Sequence, residues 1–133
     1  IVGLSEKQVK TLSPGIIGIQ RTQNVQELVN LYSESDVLVN PTYADTFPTV
    51  NLEALACGTP IITYRTGGSP EAIDEKTGVI VEQGNIESIA EALSKIRTFT
   101  FSSDECRKRA AKFFMKDKCF EKYIDIYFKL IEQ

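Results

Sequence analysis

Apolar residues switch between two spacings along this chain, and the switches mark out its elements. Val25, Leu28, Val29 and Tyr32 recur at steps of three and four and predict a helix over 24–34, with Asn24 as its N-cap. Asp36-Val37-Leu38-Val39 ends at Asn40-Pro41. So short an apolar run, stopped in this way, predicts a strand over 36–40 covered on both faces. Leu52, Leu55 and Ala56 then fall on one face of a short helix over 50–57, stopped by Gly58 and Pro60. Strands are predicted at 60–64 (Pro60-Ile61-Ile62-Thr63-Tyr64) and 78–81 (Gly78-Val79-Ile80-Val81). Between them, Thr66-Gly67-Gly68 turns into a short helix with Ser69 as N-cap and Pro70 at the first helical position. Asn85 caps a helix over 86–97 whose apolar face is Ile86, Ile89, Ala90, Leu93 and Ile96.

The ends are patterned differently. Ile1-Val2-Gly3-Leu4 has the look of a strand's exit, Ser5–Leu12 of a short polar helix opened by Ser5, and Gly15–Gln20 of a β-branched strand. From Ser102 two helices are predicted, 103–114 and 117–131. The second carries Phe120, Tyr123, Ile124, Tyr127, Leu130 and Ile131 as an aromatic stripe. The stripe is expected to pack on the chain's own sheet; the alternative is that it crosses to another domain. Strands alternating with helices over 15–97 predict an α/β, Rossmann-like, three-layer domain with a mainly parallel sheet. Ligands of such sheets sit beyond the carboxyl ends of the strands, which directs attention to the loops at 22–24, 41–49 and 66–69.

Composition narrows the picture. At 133 residues, with 42% hydrophobic and 25% charged residues, the chain has the makings of one soluble globular domain. A formal charge of −3 argues against nucleic acid or an anionic membrane as the main target. Cys57, Cys106 and Cys119 are odd in number and lack a CxxC spacing, so neither a disulfide framework nor a zinc site is suggested. With no histidine to activate it, Cys57 is expected to be a small buried residue. Reduced thiols fit these cysteines best, so a cytoplasmic protein is expected; no apolar run approaches the roughly 20 residues of a membrane span, and no signal-like segment is visible. The chain starts at Ile1 rather than Met, and is expected to be the later part of a longer one.

Chemistry gathers in the stretch from Ala44 to Pro60, which sets two carboxylates, Asp45 and Glu53, on either side of a helix start near Pro48 to Val50. The first N–H groups of that helix lack intrahelical partners and, with the macrodipole, favour a phosphate or diphosphate. Glu53, in the first turn or so, could accept from the two hydroxyls of a ribose. Asp45 could accept from hydroxyls of a group beyond the phosphates. Ribose, diphosphate and hydroxylated group in line describe a nucleotide sugar. Taken singly, Glu53 reads equally as a helix acid and Asp45 as a turn residue bonding its own backbone. A hydrolase-type carboxylate pair is a further alternative, disfavoured beside a helix N-terminus in a parallel sheet.

The acid at 45 with Phe47-Pro48, then Glu53-Ala54-Leu55-Ala56-Cys57-Gly58-Thr59-Pro60-Ile61-Ile62, Gly67-Gly68-Ser69-Pro70-Glu71 and Thr77-Gly78, resembles the C-terminal, donor-binding domain of retaining GT-B glycosyltransferases of the group 1, family 4 type. The resemblance covers about 15–97 and extends to the aromatic tail. It implies residues 1–101 as a nucleotide-sugar-binding domain and 102–133 as helices packing on it or on an absent N-terminal acceptor domain. It also implies transfer of a sugar from a nucleoside-diphosphate sugar to an acceptor with retention, in polysaccharide or glycoconjugate synthesis, without metal or cofactor. Asp45, Phe47, Pro48 and Thr49 would hold the donor sugar, and Thr49, Val50 and Glu53 the diphosphate and ribose. The departing phosphate helps deprotonate the acceptor, so no catalytic side chain is required of this half.

Two departures stand out. The first acid of the family pattern is Glu, whereas Asp45 is one methylene shorter, about 1.5 Å of reach. The family's Arg and Lys for the diphosphate lie upstream of Ile1, and neither Lys7 nor Arg21 matches them. The chain alone is therefore expected to lack transferase activity, with the acceptor and any peripheral membrane attachment belonging to the N-terminal domain. The alternatives are a non-catalytic nucleotide-sugar-binding module and a GT-B-like epimerase or phosphorylase.

Overall fold

A computed structural model describes residues 1–98 and 101–131. Residues 99, 100, 132 and 133, the last two at the end of the expected 102–133 segment, lie outside the described residues. The chain forms two compact units, the first from Ile1 to Leu31 and the second beginning at Tyr32.

In the first unit, helix α1 (Glu6–Val9) is shorter than the expected 5–12, but it opens as expected. Ser5 and Gln8 form a reciprocal capping box. The strand expected at 15–20 does not form. It is reduced to a single parallel bridge, Val2 to Ile19. Gly15 adopts a positive φ of 89° and Ile17 is 77% exposed, and pairing is confined to residues 17 and 19, which bond to Ile1 and Gly3. Helix α2 (Val25–Ser33), whose last two residues belong to the second unit, begins at Asn24, whose Oδ1 accepts from Glu27 N–H at 2.9 Å.

The second unit is built on strands β1 (Leu38–Asn40), β2 (Ile61–Tyr64) and β3 (Gly78–Val81), all parallel in the order β1-β2-β3. Helix α3 (Thr49–Cys57) links β1 to β2, a 3-10 turn at Ser69–Ala72 lies between β2 and β3, and helices α4 (Ile86–Thr98), α5 (Ser103–Phe113) and α6 (Lys116–Ile131) follow. Side-chain alternation along β2 separates two cores. Ile61 joins Ala54, Leu55, Ala72, Ile73, Cys106 and Ala110 from α3, the 3-10 turn and α5. Ile62 and Tyr64 join Val81 and Ala92, flanked by Ile89 and Ile96 of α4. Helices therefore cover both faces of the sheet, the three layers expected of the α/β class.

Several local expectations need correction. The strand at 36–40 is not covered on both faces. It lies at a sheet edge with Val39 exposed, and β2 is the strand buried throughout. Ser69 is not an N-cap: Gly68 takes that place, Ser69 is the first residue of the 3-10 turn and its Oγ is buried without a partner. On α4 the buried face is centred on Ala92, with Ile86 and Leu93 exposed, because the small residue allows the closest approach to β2 and β3. On α3, Asn51, Ala54 and Leu55 are buried, whereas Ala56 is exposed. Each residue of the α6 stripe from Phe120 to Ile131 is more than half exposed, so α6 does not pack on the sheet, both of whose faces already carry helices. No helix among the described residues is long and apolar enough to cross a membrane.

Candidate functional site

The carboxyl ends of β1 and β2 run into the loop at 41–48 and the turn at 65–68, and α3 starts between them. Pro48 is the N-cap of α3 and offers no side-chain acceptor, so the first-turn amides have no side-chain cap. Thr49 and Val50, the first two helical residues, are exposed. Asn51 anchors this turn from below. It is fully buried and accepts from Asn40 Nδ2 at 2.9 Å, while Thr63 Oγ1 donates to the Asn40 carbonyl at 3.0 Å. One buried network thus ties the start of α3 to the ends of both strands. Neither Asn was singled out from the sequence, where Asn40 looked only like a strand terminator.

Two glycines shape the opposite wall. Gly67 has a φ of +49°, and a Cβ there would overlap the Asp45 carbonyl oxygen. At Gly68 a Cβ would overlap the Thr46 carbonyl oxygen, to which Gly68 donates its own N–H at 2.9 Å. A side chain at either position would push the two loops apart. Phe47, half-buried, packs on Phe114 with ring centroids 5.9 Å apart and planes tilted by 57°, and Pro48 is buried.

The two acids have separate attachments. Asp45 Oδ1 accepts from Phe47 N–H at 3.0 Å, the turn residue's own-backbone bond. Glu53 is exposed in the second turn of α3, beyond the first turn where it was expected, and its Oε2 accepts from the Tyr32 hydroxyl at 3.1 Å. Burial, then the charge and hydrogen bond of Glu53, hold the Tyr32 hydroxyl well above its ordinary pKa. Tyr32 was read from the sequence as a helix-face residue alone.

Behind the site, α5 fixes the segment that carries the glycines. Arg109, mostly buried, donates to the carbonyls of Ala72 (2.6 Å), Glu71 (3.0 Å) and Ile73 (3.2 Å) and pairs with Asp74 at 2.7 Å. Burial opposes ionisation of Asp74. Bonds from Thr77 and the Lys76 amide, together with the Arg109 charge, outweigh it and hold the carboxyl below its ordinary pKa. At the far end of α3, Gly58 at φ +90° leaves room for Arg107, which donates to the Cys57 carbonyl at 3.3 Å. Cys57 is half-buried, and the fully buried thiol is Cys106, pushed up to about 11 by its burial. Among the described residues no group of three or more His, Cys, Asp or Glu side chains gathers as a metal site would require.

A parallel α/β sheet with an uncapped helix N-terminus at its carboxyl edge, walled by a Gly-Gly turn, is the architecture of a GT-B glycosyltransferase domain. The chain belongs to the group 1 glycosyltransferases, whose family model matches residues 1–98. It is 41% identical over 75 residues to the D-inositol 3-phosphate glycosyltransferase of Saccharomonospora viridis, and 43% identical over 72 residues to that of Corynebacterium jeikeium. Those alignments cover 56% and 53% of this chain and 17% of each relative, so the chain spans a small part of the curated relatives it matches. Among solved structures, sucrose-phosphate synthase from Thermosynechococcus elongatus superposes with a TM-score of 0.76 at 25% identity, over 96% of this chain and 33% of that one. TarM shares the fold, with a TM-score of 0.71 at 17% identity over 91% of this chain and 25% of that one.

Proposed function

We propose that this chain is the donor-binding part of a glycosyltransferase that moves a sugar from a nucleoside-diphosphate sugar to an acceptor with retention, in polysaccharide or glycoconjugate synthesis. The observation that carries the reading is the start of α3. Its uncapped first-turn amides at Thr49 and Val50 lie between the Asp45 loop and Glu53, with the Gly67-Gly68 turn closing the wall. Amides and macrodipole suit the diphosphate. Glu53, one of whose oxygens bears no described bond, suits the ribose diol. Asp45, Phe47, Pro48 and Thr49 line the place left for the sugar. Asp45 Oδ1 already accepts from Phe47 N–H, so the sugar's hydroxyls meet Oδ2 or the remaining lone pair of Oδ1. The donor needs no metal or cofactor here, and the acceptor belongs to a further domain, without which this chain has no appreciable turnover.

The names of the curated relatives and of sucrose-phosphate synthase carry phosphorylated small molecules. Inositol and sugar phosphates therefore belong beside saccharide acceptors in any assay. The first experiment is calorimetric titration of UDP, GDP and ADP into the intact protein. One of the three is expected to bind, and Glu53→Ala is expected to weaken it about tenfold, or ~1.4 kcal/mol. Unchanged affinity would remove Glu53 from the ribose. A product of inverted anomeric configuration would remove retention.

A further inference from the structure

An exposed glutamate on a helix ordinarily samples several rotamers, and ordering it against a ligand costs conformational entropy. Glu53 is not left to do so. The Tyr32 hydroxyl donates to its Oε2 at 3.1 Å, and Tyr32 is itself held from two sides. Its ring packs against the core that includes Ala54, Leu55 and Ile61. Its backbone carbonyl accepts from Thr59 Oγ1 at 2.6 Å, and Thr59 is 2% exposed. Thr59 follows Gly58, the αL residue that ends α3. The segment terminating the helix thus anchors the tyrosine that grips the glutamate at the helix's middle. A carboxylate offers about four acceptor sites on two oxygens, so the tyrosine bond leaves most of that capacity free. The hydroxyl stays protonated across the working pH range, since burial and the neighbouring carboxylate oppose its ionisation.

We propose that Tyr32 is a positioning residue for nucleotide recognition: by holding Glu53 Oε2 it presents Oε1 to the hydroxyls of a ribose. Affinity for a ribonucleoside diphosphate then depends on a hydroxyl that does not touch the ligand. The proposal rests on the reading of Glu53 as the ribose ligand. Thr59 supports the arrangement from the core.

The test is a double-mutant cycle in the intact protein, with UDP, GDP and ADP and their 2′,3′-dideoxy counterparts as probes. Tyr32→Phe keeps the ring and removes only the hydroxyl. It is expected to weaken the ribonucleotide that binds about fivefold, a loss in the range of one ordinary hydrogen bond. It should leave the dideoxynucleotide unchanged, and should add nothing once Glu53 is Ala. If Glu53→Ala weakens the ribonucleotide and Tyr32→Phe does not, the positioning role fails and the ribose reading stands. If neither substitution matters, or none of the three nucleotides binds, the ribose reading fails and takes the proposal with it. Equal weakening of ribo- and dideoxynucleotide would show that the hydroxyl acts on the fold rather than on Glu53, and would also overturn the proposal.

Discussion

α5 and α6 stand next to each other in the chain, separated by Phe114 and Met115, and both carry apolar residues at helical spacing; one is built into the molecule and the other is not. α5 turns small residues inward, Cys106 and Ala110, and these reach the core formed by Ala54 and Leu55 of α3. Its Arg109 then spans to three carbonyls and a carboxylate of the segment at 71–74. α6 has the more apolar stripe and leaves it in solvent. Helical periodicity announces that a face exists. What meets it is decided by the size of the residues on that face and by whether a sheet face is still open.

The contrast breaks most visibly at Arg109. Arg109→Ala removes a mostly buried cation and strands three carbonyls and Asp74, so a loss of about 3 kcal/mol in urea unfolding is expected. Arg109→Lys should restore less than half of it, because an ammonium cannot reproduce the planar fork. A loss below about 0.5 kcal/mol would mean that α5 is held by its small residues alone. Next in size is Gly68→Ala, where a Cβ meets the Thr46 carbonyl oxygen. About 2 kcal/mol of destabilisation is expected. Because the loop at 45–47 must shift to make room, weaker nucleotide binding should accompany it in the same calorimetric titration. Destabilisation without any change in binding would separate the Gly-Gly turn from the site.

How far these features could be read in advance follows from the range of the interactions behind them. Ends of elements were legible where local chemistry decides: Ser5, Asn24 and Asn85 each accept from an amide three residues on, and Gly58 is the αL residue closing α3. The parallel α/β class was legible because short strand-like runs alternate with helical ones, and β2, with Thr63 as its one polar residue, is buried throughout. What escaped depends on partners distant in sequence. Gly15–Gln20 has strand-like residues but only a one-residue bridge to pair with. Ala92 outranks Leu93 on α4 only because of what β2 and β3 present to it. Within the site, Asp45, Phe47, Pro48 and Glu53 belong to one contiguous motif, whereas Tyr32 and Asn40 join it across 21 and 11 residues, and Arg109 holds the segment at 71–74 across 35 to 38.

A smaller effect separates the charge of the α5 clamp from its hydrogen bonds. Asp74 has a lowered pKa in the folded chain, so its contribution is present above the ordinary value of 3.8 and is lost as pH falls through the folded value. Stability should therefore decline with acid below about pH 4 more steeply in the parent than in Asp74→Asn, which should cost about 1 kcal/mol at neutral pH. Parallel acid profiles for the two proteins would remove Asp74 from the clamp's electrostatics.

The smallest effect belongs to α6. Tyr127 is 63% exposed, so truncation forfeits little burial, and alanine's higher helix propensity returns a few tenths of a kcal/mol. Tyr127→Ala in this chain should therefore shift unfolding by less than about 0.5 kcal/mol in either direction, whereas Leu55→Ala, which opens a cavity under α3, should cost about 3. The pair is informative because both residues are large, apolar and at helical spacing, so sequence pattern alone predicts equal losses. If Tyr127→Ala costs more than about 1.5 kcal/mol, the stripe is packed in solution and the distinction between α5 and α6 disappears.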